Sequence, residues 1–183
     1  MPEVEYACWQ DMGCLNPQVG EKVLKTEKQC MALIEQYIRA KDQNKPHLMS
    51  SVFTQDALLE IDTRTDVIDF PGEVRGLEAI TKTLVTDFNT VFENIYTFCP
   101  RDSLKQNGNV VVCCWQVVMS DKTASEVRYG SGVYRWVFSV TDKVAVEQLS
   151  ITIEQMEVLE AGRGYALLQQ SAQTLYPWGK LLV

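Results

Sequence analysis

Apolar side chains recur at helical spacing in the first half of the chain and at strand spacing in the second half. The first helical pattern fades at "AKDQNK" and carries a broad apolar stripe formed by Cys30, Met31, Leu33, Ile34, Tyr37 and Ile38. Pro46 suits the first turn of a second, short helix, because that position needs no backbone N–H. The segment "ALLEID" has a strand pattern, and a third helix is predicted from about Leu77 to Thr90.

Four strand patterns follow, and they predict an antiparallel sheet. They are "IYTFCPRDSLK", "NVVVCCWQVVMS", "ASEVRYGSGVYRWVFSV" and "KVAVEQLSITIEQM". Asn107-Gly108 is typical of a hairpin turn, and Gly130 with Gly132 indicates a bulge or a sharp bend. Helices that precede a run of strands favour the α+β class, with one bent antiparallel sheet wrapped around the long N-terminal helix. A short helix and an apolar tail are predicted after residue 160.

Charge and composition narrow the classes of function. The 183 residues hold 24 acidic and 17 basic side chains, a net charge of −7 that disfavours nucleic-acid binding. No apolar run is long enough to cross a bilayer, and the acidic N-terminus lacks a signal-peptide pattern, so we expect a cytoplasmic protein that does not bind membranes. The six cysteines form no C-x-x-C pair, and His47 is alone. We therefore expect no multi-histidine metal site.

Three stretches resemble the nuclear transport factor 2-like superfamily, which includes ketosteroid isomerase, scytalone dehydratase and the SnoaL-like polyketide cyclases. They are "EQYIRAKDQNKPHLMSSVFTQDALLEI", "GLEAITKTL" and "YRWVFSV" with the following "TDKVAVEQLSI". The resemblance covers about Lys25–Gln155 and implies a cystatin-like cone whose mouth opens to a pocket beside the first helix. We accordingly expect an N-terminal arm at 1–23, a SnoaL-like α+β cone domain at 24–160 and a C-terminal helix and tail at 161–183.

The resemblance assigns roles to single positions. Tyr37 matches the isomerase tyrosine that donates to the substrate oxygen, although a core tyrosine with its hydroxyl bound to the backbone is the alternative. Ile61 stands where the isomerase has its general base. Its neighbours Glu60 and Asp62 alternate to the other face, and Asp62 stays a candidate because it lies near the strand end. Gly132 replaces the second oxyanion-hole acid, so steroid isomerase activity is not expected. A single histidine also argues against the two-histidine chemistry of scytalone dehydratase.

Strand alternation and the family pattern together predict the remaining pocket residues. The inward faces are expected to carry Ile61, Arg128, Tyr134, Trp136, Glu147, Leu149 and Ile151. Arg128 and Glu147 would form a charged pair inside an apolar cone, where the pair orients a ligand or Glu147 acts as an acid–base. A solvated pair at the sheet edge is the alternative. The aromatic strand residues are expected to pack in the core or in a dimer interface by default; they are Trp115, Tyr134, Trp136 and Phe138.

Two hypotheses about function follow. In the first, the chain binds a small apolar molecule, such as a polyketide- or terpenoid-like compound, and acts as a cofactor-free isomerase, cyclase or dehydratase. Tyr37 would then polarise an oxygen, and Glu147 or Asp62 would move the proton. In the second, the chain is a non-catalytic interaction or dimerisation module that uses the outer sheet face and the tail "LYPWGKLLV". Because "VVVCCWQVVM" is apolar on both faces, we also expect a homodimer.

Overall fold

The first helix forms the support for the concave side of the sheet. The computed structural model describes residues 24–123, 126–139, 141 and 143–183, with only the backbone described at 24–27, so the predicted N-terminal arm lies outside the described residues. Helix α1 (Leu24–Asp42) buries the predicted stripe, with Ile34, Tyr37 and Ile38 fully inaccessible to solvent. Two residues after it ends, Asn44 adopts a left-handed conformation with φ of 51°, which is common just beyond a helix C-terminus.

A short helix, a long strand and a second helical segment follow α1. Pro46 opens a 3-10 helix (Pro46–Ser51), as predicted, and β1 (Phe53–Thr63) comes next. A short strand β2 (Glu73–Arg75) precedes helix α2 (Leu77–Thr81), a π-helical turn (Lys82–Asp87) and helix α3 (Phe88–Val91). These last three segments are consecutive, and they confirm the helical pattern predicted for Leu77–Thr90.

The second half of the chain forms the rest of the sheet and a final helix. The elements are β3 (Phe92–Phe98), a 3-10 turn (Arg101–Ser103), β4 (Lys105–Asn107), β5 (Val110–Asp121), β6 (Val127–Phe138), β7 (Val146–Leu159) and α4 (Ala161–Gln173). The predicted hairpin joins β4 to β5, where Asn107 pairs with Val110 and Gly108 has φ of 59°. Glycine is suited to that turn because it carries no Cβ to clash at positive φ.

The seven strands form one mixed sheet in the order β2-β1-β7-β6-β5-β3, with β4 paired to β5. The α+β architecture is confirmed, but the sheet is not wholly antiparallel, because β1 and β7 run parallel. Side-chain alternation indicates the faces of a strand and carries no information on the direction of its partner. The predicted irregularity near Gly132 is also confirmed. Ser131 pairs with Gln155 whereas Gly132 pairs with Ile153, so β7 holds one extra residue there.

The two faces of the sheet are covered by different parts of the chain. The concave face packs against α1 and the helical segments between Pro46 and Val91, and together they form the main core. On the outer face, α4 and residues 174–183, hereafter the C-terminal segment, cover a second cluster formed by Phe98, Val118, Tyr129, Leu159, Leu167 and Leu181. The Gln116 side chain holds the segment by accepting a hydrogen bond from the Leu181 N–H at 2.9 Å and donating one to its carbonyl at 3.3 Å. Part of the apolar outer face is therefore covered by the chain itself.

Candidate functional site

A small cavity lies between α1 and the concave face of the sheet. Its volume is about 50 Å³, and its lining is mostly apolar. Four of the predicted pocket residues, Tyr37, Ile61, Tyr134 and Ile151, are part of it. The other lining residues are Lys41, Ile68, Phe70, Leu84, Phe88, Thr97, Trp115, Val117, Met119, Ile153 and Met156.

Two other predicted pocket residues pack the core beside this cavity. Trp136 and Leu149 are fully buried and face the concave side, but they do not line the open space. The Trp136 ring lies 5.1 Å from the Tyr37 ring, centroid to centroid, and 6.4 Å from the Phe138 ring. Aromatic packing of this kind fills the cone around the C-terminal end of β6. The cavity is thus confined to the region between Tyr37 and residues 64–72, the loop that joins β1 to β2.

Tyr37 presents a buried hydroxyl that makes no hydrogen bond of good geometry among the described residues, although the Tyr134 phenol lies close enough to interact with it. Its ring is held by edge contacts with Phe53, Tyr134 and Trp136. Burial raises the pKa of Tyr37 well above its usual value, and the neighbouring Tyr134 phenol offsets only part of that rise. The group consequently remains a neutral phenol, which donates a hydrogen bond. A purely structural tyrosine would have its hydroxyl bound to the backbone, and the described contacts contain no such bond.

Lys41 is a buried cation in the cavity wall that the sequence analysis missed. Only 6% of the residue is exposed. Its ammonium donates to Asp42 Oδ1 at 2.6 Å and to Thr97 Oγ1 at 2.8 Å, and it lies 5.1 Å from the centre of the Phe88 ring. A signal was present, because Lys41 follows Tyr37 by four residues and positions i and i+4 share one face of a helix.

The Asp42 carboxylate is saturated with donors. Oδ1 accepts from Lys41 and, at 2.9 Å, from the Thr97 hydroxyl, while Oδ2 accepts from the Thr97 N–H at 2.7 Å and from the Tyr176 hydroxyl at 2.9 Å. Burial and then the Asp42 charge raise the pKa of Tyr176, so this phenol stays protonated. A buried ion pair is tolerated when its remaining lone pairs and protons are satisfied in this way.

The C-terminal segment reaches the same end of α1 by two side chains. Tyr176 binds Asp42, and the Trp178 indole donates to Glu35 at 3.1 Å. The Arg39 guanidinium lies 5.7 Å from the centre of the Tyr176 ring, and the Pro177 carbonyl accepts from the Cys99 N–H at 2.7 Å. The segment therefore packs on the outer sheet face and also supports the polar group next to the cavity.

The predicted acids lie away from the cavity. Asp62 is on the outer side of β1, exposed, and pairs with Arg64 at 2.9 Å. Glu60 shares that face and accepts hydrogen bonds from Gln148 at 2.6 Å and Ser150 at 2.9 Å. The predicted alternation is confirmed, since Ile61 points inward between them. Asp62 is thus not brought near Tyr37.

The predicted pair of Arg128 with Glu147 is wrong. Glu147 is exposed, and it lies at a register shift near one end of β7, whereas Arg128 is opposite Val158 near the other end. The Arg128 guanidinium is instead within 3.4 Å of Asp121 and 3.8 Å of Glu126. Strand alternation indicates the face on which each residue lies. It does not give the register between strands, and the error arose because the register of β6 against β7 was unknown.

The loop between β1 and β2, residues 64–72, closes the cavity. Ile68 and Phe70 line it, and the Phe70 ring stacks on Phe88 with 6.2 Å between centroids. Arg128 donates to the Val67 carbonyl at 3.0 Å, which ties this loop to β6. Arg128 therefore acts at the mouth of the cavity and not in its lining.

Two further features concern metals and membranes. Across residues 24–123, 126–139, 141 and 143–183, no three His, Cys, Asp or Glu side chains come together in a group suited to hold a metal ion. None of the helices in this part of the chain has the length and apolar character needed to span a bilayer.

Comparison with solved structures gives the fold. No protein-family model matches the chain, and neither does any curated protein. A nuclear transport factor 2 (NTF2-like) superfamily protein from Salmonella enterica serovar Typhimurium matches with a TM-score of 0.58 and 14% identity, covering 72% of this chain and 93% of that one. LinA matches with a TM-score of 0.61 and 13% identity, covering 75% and 92%.

A third structure is the hexachlorocyclohexane dehydrochlorinase LinA-type3 from Novosphingobium barchaimii LL02. Its TM-score is 0.57 at 14% identity, and the match covers 75% of this chain and 92% of the other. Identities this low carry the fold and no assignment of residues or substrate. The long helix, the mixed seven-stranded sheet and these matches together show that the chain has the nuclear transport factor 2-like fold.

Proposed function

We propose that the chain binds a small, mostly apolar molecule bearing an oxygen atom, in the cavity between α1 and the sheet. The observation that carries this proposal is the Tyr37 hydroxyl, a buried donor that makes no hydrogen bond of good geometry among the described residues, in an apolar cavity. Buried polar groups are nearly always hydrogen-bonded, and an exception deserves a functional explanation. A ligand oxygen would supply the missing acceptor, and the apolar lining would hold the rest of the molecule.

The same donor suits cofactor-free proton-transfer chemistry. A hydrogen bond from a neutral phenol stabilises negative charge that develops on a substrate oxygen, as in an oxyanion hole. The fold supports this proposal because it also occurs in a protein named a dehydrochlorinase. Asp62 and Glu147 are exposed, so a proton would have to pass through another group. Lys41 is the charged side chain of the cavity wall. We propose isomerase, cyclase or dehydratase activity on this basis.

Ligand entry requires the β1–β2 loop to move. The cavity holds about 50 Å³, whereas a cavity of ~150 Å³ is needed to accept a molecule of the size of benzene. Ile68 and Phe70 lie on the loop and form part of the wall, so displacing them enlarges the space at the mouth. The aromatic cluster around Trp136 is more deeply packed and would stay in place.

Tyr37→Phe tests the proposal. The hydroxyl has no hydrogen bond of good geometry to lose, so the free energy of unfolding should stay nearly unchanged. Binding of a small enone such as cyclohex-2-enone should weaken by about 0.5–1.5 kcal/mol, the net value of one hydrogen bond. Titration calorimetry and denaturant melts measure the two quantities.

Tyr165→Phe is the matched control, because Tyr165 is 64% exposed on α4 and should change neither quantity. A Tyr37→Phe protein that melts earlier than wild type but binds the enone equally well would show that the tyrosine is structural, and it would refute the proposed role.

We also propose a homodimer formed through the part of the outer sheet face that α4 and the C-terminal segment leave uncovered. Half-buried apolar side chains from β5 and β6 lie there, namely Val110, Val112, Cys114, Val133 and Val137. The alternative of an interaction module that uses the tail is supported by the exposed Leu175, Leu182 and Val183, whereas Leu181 of the same tail is buried against its own sheet. Light scattering at micromolar concentration should give twice the chain mass of 20.8 kDa. Val133→Glu should return the protein to the monomer mass, and a wild-type monomer would contradict the dimer.

A further inference from the structure

Five residues that carry a hydrogen-bond donor line the cavity, namely Tyr37, Lys41, Thr97, Trp115 and Tyr134. Besides the Tyr37 hydroxyl, the Trp115 indole N–H is buried without a partner among the described residues, and the Lys41 ammonium forms part of the same wall. An ammonium has three N–H donors. Two of those of Lys41 reach oxygen atoms, on Asp42 and Thr97, and the Phe88 ring lies 5.1 Å from the nitrogen. The cavity therefore offers more donors than the protein satisfies.

The charge of the cavity wall is one-sided. None of the lining residues is Asp or Glu, so Lys41 contributes the charged group of the wall. Its partner Asp42 is outside the lining, and both carboxylate oxygens are already bound by Lys41, Thr97 and Tyr176. The ion pair is neutral as a whole, and of its two residues Lys41 is the one that lines the cavity. In a low-dielectric interior such a dipole acts strongly on a group placed next to it.

We propose that this cavity binds the carboxylate of a small apolar acid, with Lys41, Tyr37 and Trp115 as donors to its oxygens. The inference rests on the proposed function, because it names the class of ligand for the same cavity. Burying a carboxylate is costly unless it is paired and hydrogen-bonded; here two neutral donors and the Lys41 ammonium, which the ligand would share with Asp42, would supply the hydrogen bonds. Charge-assisted hydrogen bonds are stronger than those between neutral groups. The apolar body of the ligand would therefore fit the cavity, and its carboxylate would distinguish it from neutral molecules of the same shape.

Benzoate and its neutral isostere benzamide test the inference on the wild-type chain. Titration calorimetry at pH 7 should show benzoate binding about tenfold more tightly than benzamide. Equal affinities, or tighter binding of benzamide, overturn the anion preference and leave the proposed apolar pocket standing. If neither compound binds, and cyclohex-2-enone does not bind either, the proposed function itself fails together with this inference.

The Lys41→Met/Asp42→Asn double variant removes both charges, so no buried charge is left unpaired. The ratio of benzamide to benzoate dissociation constants should fall from about ten to about one. Lys45→Met is the matched control, because Lys45 is exposed on the turn after α1, and its ratio should match wild type. A double variant that is folded by circular dichroism and keeps the wild-type ratio overturns the role of Lys41.

A second measurement on the wild-type protein does not depend on that variant folding. The chain has four tryptophans, and the indole N–H signal of Trp115 is assigned in a ¹H–¹⁵N spectrum by its loss in Trp115→Phe. Saturating benzoate should shift this signal downfield, as expected for a new hydrogen bond to an anion, and benzamide should shift it less. Benzoate binding that leaves the Trp115 indole signal unmoved overturns the proposed site.

Discussion

Replacing Asp42 with asparagine should lower the free energy of unfolding by about 3–5 kcal/mol, because it leaves the Lys41 ammonium as a buried charge without its counter-ion. The Asp42 side chain is 1% exposed, and every group that contacts its oxygens is a donor. An asparagine NH₂ would have to face one pair of those donors, so a hydrogen bond is lost in addition to the charge. Urea-induced unfolding followed by circular dichroism measures the difference.

The matched control is Glu147→Gln, the same chemical change at an exposed carboxylate. It should stay within about 0.5 kcal/mol of wild type, as most surface substitutions do. The Lys41→Met/Asp42→Asn double variant should recover part of the loss, because no charge is then left unpaired, and a double-mutant cycle gives the coupling. If Asp42→Asn resembles Glu147→Gln, then the pair is solvated and its description as buried is wrong.

Gly132→Ala should be the second most damaging substitution, with a loss of about 3 kcal/mol, at the upper end of the range for overpacking. A methyl group at Gly132 would overlap the Thr152 carbonyl oxygen and would come within 2.9 Å of a Trp115 ring carbon. Thr152 is on the neighbouring strand, and a backbone atom cannot rotate away as a flexible side chain can. The lost free energy should appear as a lower midpoint in thermal unfolding.

Gly162→Ala serves as the control for this change. Gly162 is on α4, and a methyl group there would have no other atom within 4 Å. Alanine is favoured over glycine inside a helix by roughly 0.5–1 kcal/mol, so stability should stay equal or rise. Equal midpoints for the two variants would mean that β6 and β7 are not as close at Gly132 as described.

The architecture was predictable because it depends on periodicity. Cys30, Ile34, Tyr37 and Ile38 of the predicted stripe are buried on α1, and the alternate positions Gly130, Gly132, Tyr134 and Trp136 share the concave face of the sheet. Both follow from local geometry, with a repeat of 3.6 residues in a helix and of two in a strand. The parallel pairing of β1 with β7 was not predictable in this way. It joins residues ninety positions apart, such as Leu59 and Leu149.

The site was predicted only in part for a related reason. Tyr37, Ile61, Tyr134 and Ile151 were found because they belong to apolar patterns that indicate the inner face. Lys41 and Asp42 were missed because charged residues after an apolar stripe are typical of a solvated helix end. Their burial depends on Thr97 and Tyr176, which are 55 and 134 residues away from Asp42. The pairing of Arg128 with Glu147 failed because register is a long-range property as well.

The hydrogen bond from Tyr176 to Asp42 also bears on the order in which the protein is completed during synthesis. Helix α1 leaves the ribosome early, but this donor is translated 134 residues later. Until the C-terminal segment is available, Asp42 lacks one of its donors, and the outer face of the sheet is covered by α4 alone. Contacts between such distant parts of a chain form slowly, because a long loop must close first. The polar group beside the cavity is therefore assembled late, and a nascent chain that is still short of this region holds an unfinished pocket.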